Sequence, residues 1–149
     1  MVQSLKENSV FTDLNYLDQA RLLFGNEAKN FDLTGSLYIG KCQIAGRLGQ
    51  VILTNRKVHG GTFGFVESIK LTSTLKECRR KNMPLIFLLD SGGARLTEGY
   101  KALGMFRLMF GEILQTRLEG HPMMAIALRN CFGGASMIAA SCGYRVGSE

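Results

Sequence analysis

Two prolines in 149 residues leave no room for a proline-rich linker, and no long polar run marks a disordered segment. No apolar stretch approaches the ~20 residues that a membrane-spanning helix needs, so no membrane association is expected. The N-terminal "MVQSLKENSVFTDLNYL" lacks the apolar core of a secretory signal. The expected location is therefore cytoplasmic. The four cysteines, Cys42, Cys78, Cys131 and Cys142, form no CxxC pair. That argues against a disulfide framework and against a zinc site, and predicts buried free thiols. Two histidines, and no serine in a GxSxG setting, leave few side chains for nucleophilic catalysis. Cys131 has no base beside it in sequence, which argues against a thiolate nucleophile. There is no Walker A lysine and no GxGxxG after the first strand, so a nucleotide site is not indicated.

What is abundant is glycine, at 18 residues, and positive charge, at a formal +6. Part of the charge is clustered in Lys76, Arg79, Arg80 and Lys81. Such a cluster suits a solvated helix face, an anionic cofactor or an acidic partner. No RNP motif, zinc-finger spacing or aromatic-interleaved basic run accompanies it, so nucleic acid is not an expected partner.

The length fits one domain, 1–149, with 1–14 a loose N-terminal arm. Leu17, Ala20, Leu23 and Phe24 recur at helical spacing, between Asn15 as N-cap and Gly25 as stop. "SLYIGKCQIAGRLGQVILTNRK", broken at Gly46 and Gly49, predicts a two-stranded hairpin. Phe65, Ile69, Leu75 and Cys78 then mark a helix face ending near Asn82. A strand follows at 85–89, and a helix from about Thr97 to Leu118. That helix has Leu103, Phe106, Phe110, Ile113 and Leu114 on one face and Gly120 as its stop. "MMAIAL" predicts a strand, "GGASMIAASC" a small-residue helix and "YRV" a further strand. Apolar strands alternating with helices imply a largely parallel sheet covered on both faces.

Two strands end in the same way. "LIFLLD" runs into Gly92 and Gly93, and "MMAIALRNCF" into Gly133 and Gly134, each ahead of a predicted helix. In a parallel sheet the carboxyl ends of the strands form the ligand edge. The first N–H groups of a helix have no partner within it, and with the helix dipole they can hold an anion or a developing oxyanion. Two such turns on neighbouring strands can aim two donors at one point. The competing reading is that these glycines serve tight turns and close packing.

"HGGTFGFVESIKL", "MPLIFLLDSGGARLTEG" and "NCFGGASMIAASCGYRVGSE", in this order, resemble the carboxyltransferase family. That family comprises the carboxyltransferases of acetyl-CoA and propionyl-CoA carboxylase and the malonate decarboxylase β subunit. "DSGGARLTEG" is most similar to the acyl-CoA carboxylase members and "CFGGAS" to the malonate decarboxylase branch. "LDQARLLFG" is similar to the helix that opens such domains. The resemblance covers 15–149 and implies a crotonase/ClpP-like α/β fold, of which this chain is the first part.

It further implies an acyl or malonyl thioester of coenzyme A, or of a carrier protein's phosphopantetheine, as substrate. The thioester enolate would be held by backbone N–H groups. By position, Gly92 and Gly93 would supply one donor, and Gly133 and Gly134 the other. Gly60, Gly61, Ala94, Arg95 and Ala135 would border the substrate. Arg79, Arg80 and Lys81 would meet coenzyme A phosphates or an acidic carrier. No tightly bound cofactor is implied, though transfer would use biotin on a carrier protein. The resemblance leaves three readings open: an acyl-CoA carboxylase-type transferase, a biotin-independent malonyl-thioester decarboxylase, and a non-catalytic interaction protein on the same fold. A homo-oligomer or a completing partner subunit is expected. For Arg95 the residues alone favour an ion pair with Glu98 or Asp90. His59 suits a polar neighbour of the substrate or a loop histidine without function equally, His121 is a structural turn residue, and Ser136 a packing residue.

Overall fold

The computed structural model describes residues 14–25 and 31–147. Only the last residue of the expected N-terminal arm lies within them. The chain opens with helix α1, Tyr16–Phe24, whose N-cap Asn15 accepts a hydrogen bond from the Asp18 N–H, as the sequence predicts. Strands β1 (Asp32–Thr34), β2 (Leu37–Ile44) and β3 (Arg47–Thr54) form an antiparallel meander. The β2–β3 turn lies at Ala45 and Gly46, whereas Gly49 pairs with Cys42 inside the ladder. β1 was not foreseen, because three residues carry too little pattern.

After β3 the chain alternates: α2 (Phe65–Lys81), β4 (Leu85–Ser91), α3 (Gly99–Leu118), β5 (Met123–Cys131), α4 (Gly134–Ser141) and β6 (Tyr144–Gly147). Short 3₁₀ turns at His59–Gly61 and Leu96–Glu98 precede α2 and α3. The six strands lie side by side in chain order, and the pairs from β3 to β6 are parallel. β4 is buried at all seven positions, as the apolar run of residues 85–89 requires, with the polar Asp90 and Ser91 buried at its end.

The strand period of two sorts β4 between two cores. Leu85, Phe87 and Leu89 join Leu71, Leu75, Phe106, Met109, Ile113 and Ile138. Ile86 and Leu88 join Ala20, Val51, Leu53 and Leu128 on the other face. The three crossover helices therefore share one face, and among the described residues only α1 covers the other. This narrows the expectation of helices on both faces. Full burial of a side chain such as Phe87 is worth about 1.5–3 kcal/mol.

The predicted helix faces need correction. Ile69, Leu103 and Leu114 are exposed by 44%, 38% and 42%. α2 keeps Leu75 and Cys78 of the predicted face inward, but adds Glu67, Ser68 and Leu71 in place of Ile69. Apolar spacing misplaces this stripe because its first turn is polar and neutralised by distant partners. Among the described residues no helix is long and apolar enough to cross a membrane.

Candidate functional site

The carboxyl ends of β3, β4 and β5 lie side by side, and each leads into a pair of glycines. The three pairs meet. The Gly92 N–H donates to the Gly60 carbonyl at 3.1 Å. A Cβ on Gly61 would collide with the Asp90 carbonyl oxygen. A Cβ on Gly93 would lie 2.7 Å from both the Gly134 nitrogen and the Phe132 carbonyl oxygen. An isolated bridge locks the edge: the Phe63 N–H donates to Gly93 and the Arg95 N–H to Phe63, both at 2.8 Å.

This contact revises the donor assignment. The N–H groups of Gly92 and Gly93 are both occupied, the second by Ser91 Oγ at 3.0 Å. Close backbone packing therefore accounts for Gly61 and Gly93. The N–H groups of Ala94, Gly133 and Gly134 have no hydrogen-bond partner among the described residues. The donors at this edge are thus Ala94, which the sequence placed only beside the substrate, and the α4 N-terminus. α4 starts at once because Gly133, at φ 50° and ψ −121°, turns the chain in a conformation that side chains rarely adopt. Ser136 Oγ donates to the Gly133 carbonyl at 2.7 Å, which braces that turn. Ala135 is fully buried and donates its N–H to Phe132, so it packs rather than borders a ligand.

The Arg95 side chain is engaged within the protein. Its guanidinium donates to Glu67 at 2.5 Å, to Glu98 at 2.6 Å, and to the Thr62 carbonyl at 2.8 Å. Its Nε reaches Thr62 Oγ1 at 3.1 Å. Glu67, with no exposed side-chain surface, also accepts from the N–H groups of Ser36 and Gly64. Burial alone would lower the Arg95 pKa, but the hydrogen bonds to Glu67 and Glu98 outweigh it and raise it. The expected pair with Glu98 is present. Asp90 is bonded instead by Asn130 Nδ2 at 2.9 Å. Glu67 was missed because a lone acid in a helical stripe looks like a solvent-facing residue.

The basic cluster lies elsewhere. α2 begins beside Ala94 and runs 17 residues, about 25 Å, to Arg79 and Lys81 at its far end. Arg79 is held between helices by Glu112 at 2.7 Å and by Thr116 Oγ1 at 2.8 Å. Lys81 pairs with Glu77 at 2.7 Å, and Arg80 is exposed. This cluster does not join the glycine edge. Charge in sequence carries no address, and helix length set the distance.

His59 is exposed, and His121 is buried with its ring nitrogen on the Met83 carbonyl. Burial pushes the Cys78 thiol up to about 12 and Cys142 to about 11, and raises Cys131. None of the four cysteines is in a disulfide, and at neutral pH these three thiols are protonated. Among the described residues no group of three or more His, Cys, Asp or Glu could hold a metal ion.

The acids give the fold a pH dependence. The Phe65 N–H, and then Arg95, hold Glu98 below its ordinary 4.5. Lys81 and Lys41 hold Glu77 at about 2. Groups lowered in the folded state stabilise above their unfolded pKa and lose that contribution as pH falls through the folded value. The melting temperature should be flat from pH 7 to about 5 and fall between about 4.5 and 2. Calorimetry across that range checks it; a flat profile down to pH 2 would remove these pairs from the account.

The carboxyl transferase domain model matches residues 4–146. The methylmalonyl-CoA carboxyltransferase 12S subunit of Propionibacterium freudenreichii subsp. shermanii is 35% identical over 98 residues, 65% of this chain and 18% of that protein. The methylmalonyl-CoA decarboxylase subunit alpha of Veillonella parvula is 29% identical over 133 residues, 88% of this chain and 26% of that protein. The chain thus spans about a fifth to a quarter of these relatives. Among solved structures, a transcarboxylase 12S hexamer superposes with TM-score 0.78 at 23% identity, covering 97% of this chain and 32% of the other. A Pseudomonas malonate decarboxylase hetero-dimer gives 0.75 at 26% identity, covering 92% and 63%. The fold is the crotonase-like one that the motifs imply, present in part. The chain belongs to the carboxyl transferase domain family.

Proposed function

We propose that this chain carries the enolate-stabilising part of an acyl-thioester carboxyltransferase or decarboxylase. The observation that carries the reading is the pairing of the glycine turns, which leaves the N–H groups of Ala94, Gly133 and Gly134 unoccupied at one sheet edge. A malonyl-type thioester would place its carbonyl oxygen on these donors. The bond from the α-carbon to the carboxyl carbon breaks, and its electron pair moves onto the thioester oxygen. CO₂, or a carboxyl group handed to an acceptor, is the other product; the α-carbon then takes a proton. Transfer and decarboxylation share this intermediate. Preorganised N–H donors help because they are already oriented when the charge develops.

The relatives support the substrate class. One solved relative holds hydrolysed methylmalonyl-coenzyme A, and a malonate decarboxylase hetero-tetramer holds malonate. They also support assembly, since these are a hexamer and hetero-oligomers. In this chain all four residues of the edge strand β6 are exposed, with Tyr144 at 74%. Such an edge suits a further strand or a partner subunit.

Gly133 gives the cleaner test, because a Cβ there meets only the Gly92 carbonyl oxygen, at 3.8 Å. At Gly134 it would strike the Phe106 ring and confound folding with chemistry. Gly133→Ala keeps its N–H, but at φ 50° and ψ −121° the added Cβ strains the turn. Re-aiming this donor should lower CO₂ release from malonyl-CoA by about 10²-fold, with circular dichroism checking that the fold is kept. Titration calorimetry with malonyl-CoA should give similar affinity for both proteins. Full turnover in the variant would remove the α4 N-terminus from the reaction.

A further inference from the structure

One acid at the glycine edge has no part in the reading above. Asp90 is the last side chain of β4 on the α1 side, following Ile86 and Leu88, and is only 6% exposed. Burying a carboxylate is costly, and an apolar residue would continue that face as its neighbours do. Its connections reach all three glycine turns. The Asp90 N–H donates to Thr54 Oγ1, at the end of β3, at 2.7 Å. Its carbonyl oxygen is the surface against which Gly61 fits. Its carboxylate accepts the 2.9 Å hydrogen bond from Asn130 Nδ2.

Asn130 stands in an irregularity of β5. Leu89 is opposite Ala127, but Ser91 is opposite Cys131, so two steps on β4 answer four on β5. The ladder resumes with the Phe132 N–H on the Ser91 carbonyl at 3.1 Å, directly ahead of Gly133. A bulge of this kind re-aims the backbone that follows it. A bond from a neutral amide to a carboxylate is stronger than one to a neutral acceptor.

We propose that Asp90 is a positioning residue: through Asn130 it fixes the β5 bulge, and with it the place of the Gly133 and Gly134 N–H groups relative to the Gly92 turn. Its chemical consequence rests on the thioester reading; its geometric content does not. Small displacements of reacting groups cost rate more than affinity.

The test uses the full chain with malonyl-CoA, and the variants Asp90→Ala, Asn130→Ala, Asp90→Asn and the double alanine. Each single alanine should lower kcat by about 10²-fold with KM within about twofold. The double alanine should be no worse than the poorer single. Asp90→Asn should recover most of the rate, because its amide oxygen accepts the same N–H. If Asp90→Ala fails to fold, Asn130→Ala and Asp90→Asn carry the comparison. Additive losses, a change in KM alone, or an asparagine variant as poor as alanine would overturn the proposal. Hydrogen exchange supplies a readout independent of chemistry. The Phe132 and Ala135 amides should exchange faster in Asn130→Ala than in wild type, and at wild-type rates in Asp90→Asn. Absence of turnover in the wild-type chain would sink the thioester reading, and the exchange pattern would then decide the positioning claim alone. Unchanged exchange would refute it.

Discussion

Replacing Glu67 with alanine is expected to destabilise the protein by about 3–5 kcal/mol. The side chain has no exposed surface and holds three partners at once. It bonds the Arg95 guanidinium, at 2.5 Å, and the N–H groups of Ser36 and Gly64, at 3.0 and 3.1 Å. Removing it leaves a guanidinium whose side chain is 9% exposed with, among the described residues, only Glu98 as a charged partner. Two backbone donors are orphaned as well. Breaking one half of a buried pair costs more than the pair is worth, since the remaining charge is desolvated and uncompensated. Replacing both partners with apolar residues should therefore cost less than Glu67→Ala alone. Urea denaturation of Glu67→Ala, Arg95→Met and the double variant measures this. A double variant as unstable as the sum of the singles would show that the two side chains act separately.

Gly93→Ala is expected to be of similar size and to abolish any thioester chemistry at the edge. The added methyl would lie 2.7 Å from the Gly134 nitrogen and from the Phe132 carbonyl oxygen, and both are backbone. Neither can rotate away as a side-chain tip would. The residue also holds φ 93°, which an L-residue adopts only under strain. The two glycine turns must then separate, and the α4 N-terminus would move with them. Gly46→Ala is the control, because it shares a positive φ of 78° but has open space around it. It should cost about 1 kcal/mol. If Gly93→Ala melts with the Gly46 variant rather than far below it, the contact between the turns does not constrain the fold.

The two predictions separate what the glycines do. Gly93 lets two backbones touch, and Gly133 lets a helix begin at the point of contact. Arg95 and Glu67 hold the preceding loop in place from behind, and Asp90 ties the neighbouring strands at their ends.

Much of this was legible in the sequence. The Asn15 cap, the order of strands and helices after β3, the two glycine turns and the family follow from local signals. Such signals act over a few residues, and a cap, an apolar run or a Gly-Gly turn imposes its geometry wherever it occurs. The sequence could also offer Glu98 or Asp90 as the partner of Arg95, since both lie within five residues, but it did not choose between them.

Only the tertiary structure decided the rest. It brought Glu67 to Arg95 across 28 residues and Asn130 to Asp90 across 40. It moved Arg79, Arg80 and Lys81 to the far end of α2, and it occupied the N–H groups of Gly92 and Gly93 while leaving those of Ala94, Gly133 and Gly134 without a partner among the described residues. The physical reason is common to all of these. Whether a backbone N–H is free, or a charge is paired, depends on what another segment places beside it, and that is a property of the sheet order rather than of any single stretch of chain.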